Sequence, residues 1–318
     1  LELTGCKNLV LAGGVALNCV ANGKILEQGI FDKLWIQPAA GDAGGALGAA
    51  YAGHYLWNKQ SERPTLGHHD HMQGAYLGPA FSANDVGRMI RKFNAVGEHY
   101  GAFDDLCDEV AESLSQGMIV GWFQGRMEWG PRALGNRSIL GDPRQPEMQK
   151  KLNLKIKYRE GFRPFAPSVL AEDMREYFKL AEASPYMLLV APVAEDHRRA
   201  LPDNDEELPH YERLYHRRSD IPAVTHVDFS ARVQTVHRET NPRYWQLIQA
   251  FKQKTGCGLV VNSSFNVRGE PIVCTPEDAF RCFMGTDIEF LAVGDHVLYK
   301  DEQDPNLRVN YKDQFELD

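Results

Sequence analysis

The chain opens with the same short pattern twice. Asn8 to Leu11 is an apolar run that meets Gly13-Gly14 and then a helix-compatible stretch from Val15 to Gln28. Leu34 to Gln37 is a second run, followed by Gly41-Asp42-Ala43-Gly44-Gly45 and an Ala-rich stretch from Ala46 to Trp57. Strand, glycine turn and helix in series predict an α/β layer with a parallel sheet, because each helix carries the chain back to begin the next strand in the same direction. Each turn stands at a helix N-terminus, where free backbone N–H groups and the helix dipole favour an anion. Taken singly, either turn reads as no more than a tight strand-to-helix connection.

With 318 residues, the chain has room for two domains at about 150 residues each. Residues 58–80 carry Pro64, Gly67, Gly74, Gly78 and Pro79 with little apolar periodicity. They predict a linker, placed at 61–75, between a first unit (1–60) and a mixed α+β unit (76–318). In the second unit Ser82 to Asp85 predicts the cap of a helix running to Phe93, and Ala102 to Ser115 a second helix. Further helices are expected at 242–254 and 276–283. Strands are expected at 118–123, 186–190, 258–261, 290–293 and 296–299. The Gly/Pro-rich stretch up to Asp142 reads as loop, and 195–222 as a charged surface insertion.

Composition excludes several classes. Hydrophobic residues are 43% and charged residues 25%, as in soluble globular proteins. The net charge of -8 argues against nucleic-acid or anionic-membrane binding. No apolar run approaches the roughly 20 residues of a membrane span. Leu1 to Gly5 lacks the features of a signal peptide, and the start at Leu1 predicts a processed or cut chain. Cys6, Cys19, Cys107, Cys257, Cys274 and Cys282 form no C-x-x-C pair. They predict reduced, buried thiols in a cytoplasmic protein.

Charge is unevenly placed. Residues 132–163 hold nine Lys/Arg and three Asp/Glu, a local +6 that leaves -14 elsewhere. A cationic island in an anionic chain predicts a compact anionic ligand. Lys150, Lys151 and Lys155 read as a solvated helix face. Arg132, in Gly125-Arg126-Met127-Glu128-Trp129-Gly130-Pro131-Arg132, and Lys157 and Arg163, just before Pro164-Phe165-Ala166-Pro167, lie among glycines, prolines and aromatics. There an arginine can meet phosphate or carboxyl oxygens in bidentate fashion. Arg232 falls on an expected strand. Asn262 and Ser264, in Val261-Asn262-Ser263-Ser264-Phe265-Asn266, can donate to phosphate or a small amide. By itself that turn reads as one satisfying its own backbone.

Together the stretches GWFQGRMEWGPRALGNRSIL, REGFRPFAPSVL, VNSSFNVRGEPIV and AGGVALNCVANGKI resemble the ATP-dependent O-carbamoyltransferase family over nearly the whole chain. Its members carbamoylate nodulation factors and antibiotics such as aminoglycosides and cephems. The last stretch is shared more widely, with the sugar-kinase, heat-shock and actin superfamily.

The resemblance implies a partial kinase-like domain, similar to that of tRNA threonylcarbamoylation. It is followed by a complete domain similar to the dsRNA-binding-like α/β fold that makes threonylcarbamoyladenylate. It implies that carbamoyl phosphate and ATP give carbamoyl adenylate, whose carbamoyl group passes to a hydroxyl of a small acceptor. Lys157 and Arg163 then belong to the catalytic pocket, with Arg132, Arg232, Asn262 and Ser264 on carbamoyl phosphate and the adenylate. Arg268 is a weaker member. Gly13, Gly14, Val15 and Asn18 match the nucleotide-binding turn, and Asp42 matches the family's metal-ligating aspartate for a divalent ion such as iron. The family's H-x-x-x-H ligand pair is absent: none of the eleven histidines has that spacing. His68-His69-Asp70-His71 is the only histidine cluster, and its place does not match the pair. The chain therefore reads as the C-terminal part of a longer enzyme. Two other readings compete: a dsRNA-binding module, using the basic island on phosphates, and a sugar kinase fragment, using the glycine turns. The second leaves GPRALGNRSIL unexplained.

Overall fold

In the computed structural model, residues 4–62, 70–202, 207–308, 311 and 315 are described. Strands β1 (Asn8–Leu11) and β2 (Lys33–Ile36) pair in parallel, from Asn8 opposite Lys33 to Leu11 opposite Ile36. After β1, Gly13 sits at φ 92°, a region that glycine enters without strain. The helix expected from Val15 to Gln28 is split in two. A 3-10 turn, Gly14–Leu17, comes first, and then α1 (Cys19–Glu27). The split falls at Asn18, whose side chain accepts the Ala21 amide at 3.1 Å and caps α1. The second glycine run, expected as a turn over 41–45 with a helix from Ala46, is corrected: the turn closes at Gly41 and α2 (Asp42–Tyr51) already includes Gly44 and Gly45, continued by a π-helical stretch, Ala52–Trp57. Because β1 and β2 are parallel, both turns lie at the same end of the pair. The Leu17 side chain comes within 3.8 Å of the space a Cβ on Gly41 would take.

The second sheet is built from β3 (Glu98–His99), β4 (Val120–Phe123), β5 (Arg137–Gly141), β6 (Ala166–Leu170), β7 (Leu189–Pro192), β8 (Ser230–Val236), β9 (Leu259–Ser264), β10 (Phe290–Val293) and β11 (His296–Tyr299). Its order is β3-β11-β10-β4-β5-β9-β6-β8-β7. The pairs β10–β4 and β6–β8 are parallel and the others antiparallel. The fold is thus α/β with a mixed sheet. Strands β4, β5, β6 and β10 are buried at every position.

The helices are α3 (Ala83–Phe93), α4 (Phe103–Ser115), α5 (Met148–Lys155), α6 (Met174–Tyr177), α7 (His210–Leu214), α8 (Pro242–Thr255) and α9 (Pro276–Gly285). Helix α3 starts with the expected cap, a reciprocal box between Ser82 and Asp85. Helices α4 and α8 pack on each other and on β4, β6 and β9, while α9, backed by α3, packs on β4 and β10.

Two expectations on this sheet are corrected. The stretch up to Asp142 was expected to be loop, yet it contains β5. The strand expected at 186–190 is displaced to 189–192. Met187 sits at φ 56°, which no strand accommodates, and the Tyr186 hydroxyl turns away to donate to the Asp70 carboxylate at 2.7 Å.

The first unit packs on the second through α1 and β7. A Cβ on Gly23 would stand 2.2 Å from the Val190 carbonyl oxygen, so only glycine permits this approach. Beside it, Asn22 is buried and its Nδ2 donates to the Ala16 and Leu188 carbonyls at 2.8 and 3.1 Å. The last part of the expected linker is packed: Met72 and Ala75 are buried, and the Tyr76 hydroxyl donates to the Leu134 carbonyl. His68 and His69 lie outside the described residues. All six cysteines are free; Cys107, Cys257 and Cys282 are buried, Cys19 and Cys274 half-buried, and Cys6 is exposed, contrary to expectation. Among the described residues no helix is long and apolar enough to cross a membrane.

Candidate functional site

The site grows from the exit of β9. Ser264 ends that strand, and the chain turns at Asn266. Lys157, just past α5, is only 4% exposed, and its Nζ points into this turn. It donates to the carbonyl oxygens of Ser264 (2.5 Å) and Asn266 (2.7 Å) and to Asn266 Oδ1 (2.8 Å), with Ser264 Oγ at 3.3 Å. Ser264 Oγ in turn donates to Asn266 Oδ1 at 2.7 Å. Burial, followed by the nearby Arg159 charge, drives the Lys157 pKa down to about 7.

Tyr158, at φ 47°, swings the chain so that Lys157 and Arg159 both point inward. Arg159 Nε donates to Asn153 Oδ1 at 2.7 Å, and its guanidinium lies 5.1 Å from the centre of the Phe165 ring. Burial first and Arg163 second lower its pKa to about 10. Arg163 itself is 44% exposed and pairs with Glu160 at 3.2 Å; Arg268 reaches the same carboxylate at 3.8 Å.

Arg232 lies on β8. Its pKa is lowered by burial and then by the Arg132 charge, and Arg159 adds to the repulsion. Two positions along the same face of β8, Gln234 joins Ser168 and Asn262 in a buried network. Asn262 Nδ2 donates to Gln234 Oε1 (2.9 Å), Ser168 Oγ (3.0 Å) and the Ala133 carbonyl (3.1 Å).

The buried atoms here that lack a hydrogen-bond partner include Arg132 Nε, Arg232 Nε and Asn262 Oδ1, with Glu128 Oε2 and Trp129 Nε1 in the Arg132 loop. A buried donor left unmade costs about 1–3 kcal/mol. Mutually repelling cations with unused N–H groups are therefore an arrangement that an entering anion relieves.

The structure thus brings together Lys157 with Ser264, and Arg132 with Arg232, with Arg159 between the two pairs. Arg163 stands at the exposed edge, and Asn262 lies in the strand floor. Sequence reasoning did not single out Arg159 or Asn266. Their signal was the two-residue spacing to Lys157 and Ser264, which acquires meaning only when both turns meet. Lys151, read as solvent-facing, is corrected: its Nζ binds the Gly117 carbonyl and the Glu289 carboxylate.

The first glycine turn adjoins this region. Arg132 Nη2 donates to the Leu17 carbonyl at 3.4 Å. Cβ atoms on Gly13 and Gly14 would meet nothing within 4 Å, and Val15 is 89% exposed, so the turn has open space over it. Asn18 is engaged in capping α1. Asp42 is exposed at the first residue of α2. Among the described residues no three His, Cys, Asp or Glu side chains converge. Asp42 alone does not make a metal centre.

Residues 1–51 match the family model of the carbamoyltransferase N-terminus, and residues 111–300 that of the carbamoyltransferase C-terminus. The chain belongs to the carbamoyltransferase family. It is 55% identical to an uncharacterized Synechocystis protein over 322 residues, covering 100% of this chain and 52% of that protein. Nodulation protein NolNO of Sinorhizobium fredii is 42% identical over 96% of this chain and 41% of its own length. The 3'-hydroxymethylcephem-O-carbamoyltransferase of Amycolatopsis lactamdurans is 33% identical over 90% and 48%. The chain spans about half the length of the curated relatives it matches. Among solved structures, full-length HypF in its phosphate- and nucleotide-bound form aligns over 64% of this chain and 22% of its own at 17% identity and TM-score 0.38, too loose a likeness to argue from.

Proposed function

We propose that the second unit, residues 76–318, binds carbamoyl phosphate and ATP and forms carbamoyl adenylate. Water releases phosphate from carbamoyl phosphate and leaves carbamate. A carbamate oxygen then attacks the α-phosphorus of ATP, and the bond to the β-phosphate breaks to release pyrophosphate. Both reactants are anions, so their approach is opposed by repulsion. Arg132, Arg159, Lys157 and Arg232 would lower that barrier by holding the negative charge in a site removed from water. Ser264 and Asn266 would fix Lys157 and offer polar groups to the carbamoyl amide. The observation that carries this reading is the pair of buried guanidinium nitrogens, on Arg132 and Arg232, with no partner.

Residues 1–60, joined through 61–75, would form part of a kinase-like transfer domain. There a hydroxyl of a small acceptor attacks the carbamoyl carbon and AMP leaves. The nodulation and cephem relatives suggest a sugar or antibiotic acceptor. The open glycine turn beside Arg132 supports a short path for the adenylate between the two units. ATP dependence fits a cytoplasmic setting.

The test is pyrophosphate release from ATP, which should require carbamoyl phosphate. Lys157→Met and Arg159→Ala should each cost about 2–4 kcal/mol in transition-state stabilisation. Arg163→Ala should cost less, since an exposed pair contributes about 0–1 kcal/mol. A folded chain releasing no pyrophosphate above background would refute adenylation by these residues.

A further inference from the structure

Arg132 is held at the crest of a loop that closes on itself. Its base is Glu128, 7% exposed. Glu128 Oε1 accepts the backbone amides of Leu134 (2.6 Å), Asn136 (2.8 Å) and Arg137 (3.4 Å). One carboxylate oxygen therefore gathers three donors from the far limb of the loop. Burial pushes the acid's pKa upward, and the amides and the Arg137 charge oppose that. Arg137, fully buried, lies 3.6 Å from the Phe123 ring centre and donates to the Gln124 and Asn136 carbonyls at 2.7 and 2.9 Å.

The shoulders of the loop are equally fixed. Gly130 at φ 127° and Gly135 at φ 108° flank Arg132. A Cβ on Gly135 would meet the Tyr244 ring at 2.0 Å, and one on Gly130 would meet the Pro38 carbonyl oxygen at 3.1 Å. The loop is wedged between α8 and the first unit, and from inside the Glu128 carboxylate ties its two limbs together, with Asn136 Nδ2 on the Arg126 carbonyl (2.7 Å) beside it.

From this geometry we infer that Glu128 is a positioning residue. It sets the height at which the Arg132 guanidinium meets a phosphate-bearing substrate, without touching that substrate itself. The inference rests on the reading of Arg132 as an anion contact, so the experiment separates the two.

Binding of carbamoyl phosphate to the 318-residue chain is measured by calorimetry in a double-mutant cycle of Glu128→Gln and Arg132→Ala, with thermal unfolding alongside. Arg132→Ala alone should weaken binding, and an unchanged affinity would remove the underlying reading and this inference with it. Glu128→Gln alone keeps the acceptor oxygen but removes the charge that strengthens its bonds to the three amides, and should weaken binding about tenfold. In the Arg132→Ala background it should weaken binding no further. A general structural role would instead give the same loss in both backgrounds, and that additive result would overturn the inference, as would full affinity in Glu128→Gln. If the Gln variant does not fold, Glu128→Asp keeps the charge but draws it back by one methylene, and the same cycle applies with the same outcomes.

Discussion

At the residue scale, Lys157 is a candidate-site group whose chemistry departs far from its ordinary state. Its folded-state pKa near 7 lies below the ordinary 10.5. Below about pH 7 both folded and unfolded chains hold the proton, and the cost of burying the charge is present in full. Between pH 7 and 10.5 the folded chain has shed the proton while the unfolded chain retains it. The stability attributable to this lysine therefore rises with pH, by at most about 1.4 kcal/mol per pH unit. Urea unfolding at pH 7 and pH 9 should show wild type gaining on Lys157→Met; parallel changes in the two proteins would refute the shift. Sequence pointed to Arg132, Lys157 and Arg163 because they stand among glycines, prolines and aromatics, and to Arg232, Asn262 and Ser264 through the family resemblance. It was silent on Arg159 and Asn266. Each lies two residues from a named partner, yet nothing local says that 157–159 and 264–266 come together, since more than a hundred residues of chain separate the two turns.

At the element scale, legibility followed locality. Strands 8–11, 290–293 and 296–299 fall as expected because a short apolar run is bounded by turn residues on both sides. β5 was illegible because it begins with an arginine inside a glycine-rich motif, and burial at all five positions leaves no alternation to read. The helix break at Asn18 was illegible for a different reason: capping competes with continuation, and the side chain decides. The contact of α1 with β7 depends on Gly23, whose missing side chain no periodicity announces. Gly23→Ala should force the helix off the strand and cost about 1–3 kcal/mol, as other overpacked contacts do. Thermal unfolding checks this, and an unchanged midpoint would mean that the helix shifts aside without cost.

At the scale of the whole molecule, the charge count of the sequence becomes an arrangement. Arg132, Arg159, Arg232 and Lys157 converge from β8 and from chain segments adjoining α5 and β5, while most of the acidic excess lies elsewhere in the chain. Cations pressed together destabilise the fold until an anion arrives. Inorganic phosphate at about 100 times its Kd should therefore stabilise the chain by about 2.7 kcal/mol, and chloride at matched ionic strength should not. Equal shifts with both salts would mean simple screening and no site.

Screening fades charge effects within about 8 Å at physiological ionic strength. The acidic excess carried elsewhere in the chain therefore bears little on the guanidinium groups of Arg132 and Arg232, which feel chiefly each other and Arg159. A net charge summed over 318 residues is thus a poor guide to what a few clustered side chains attract.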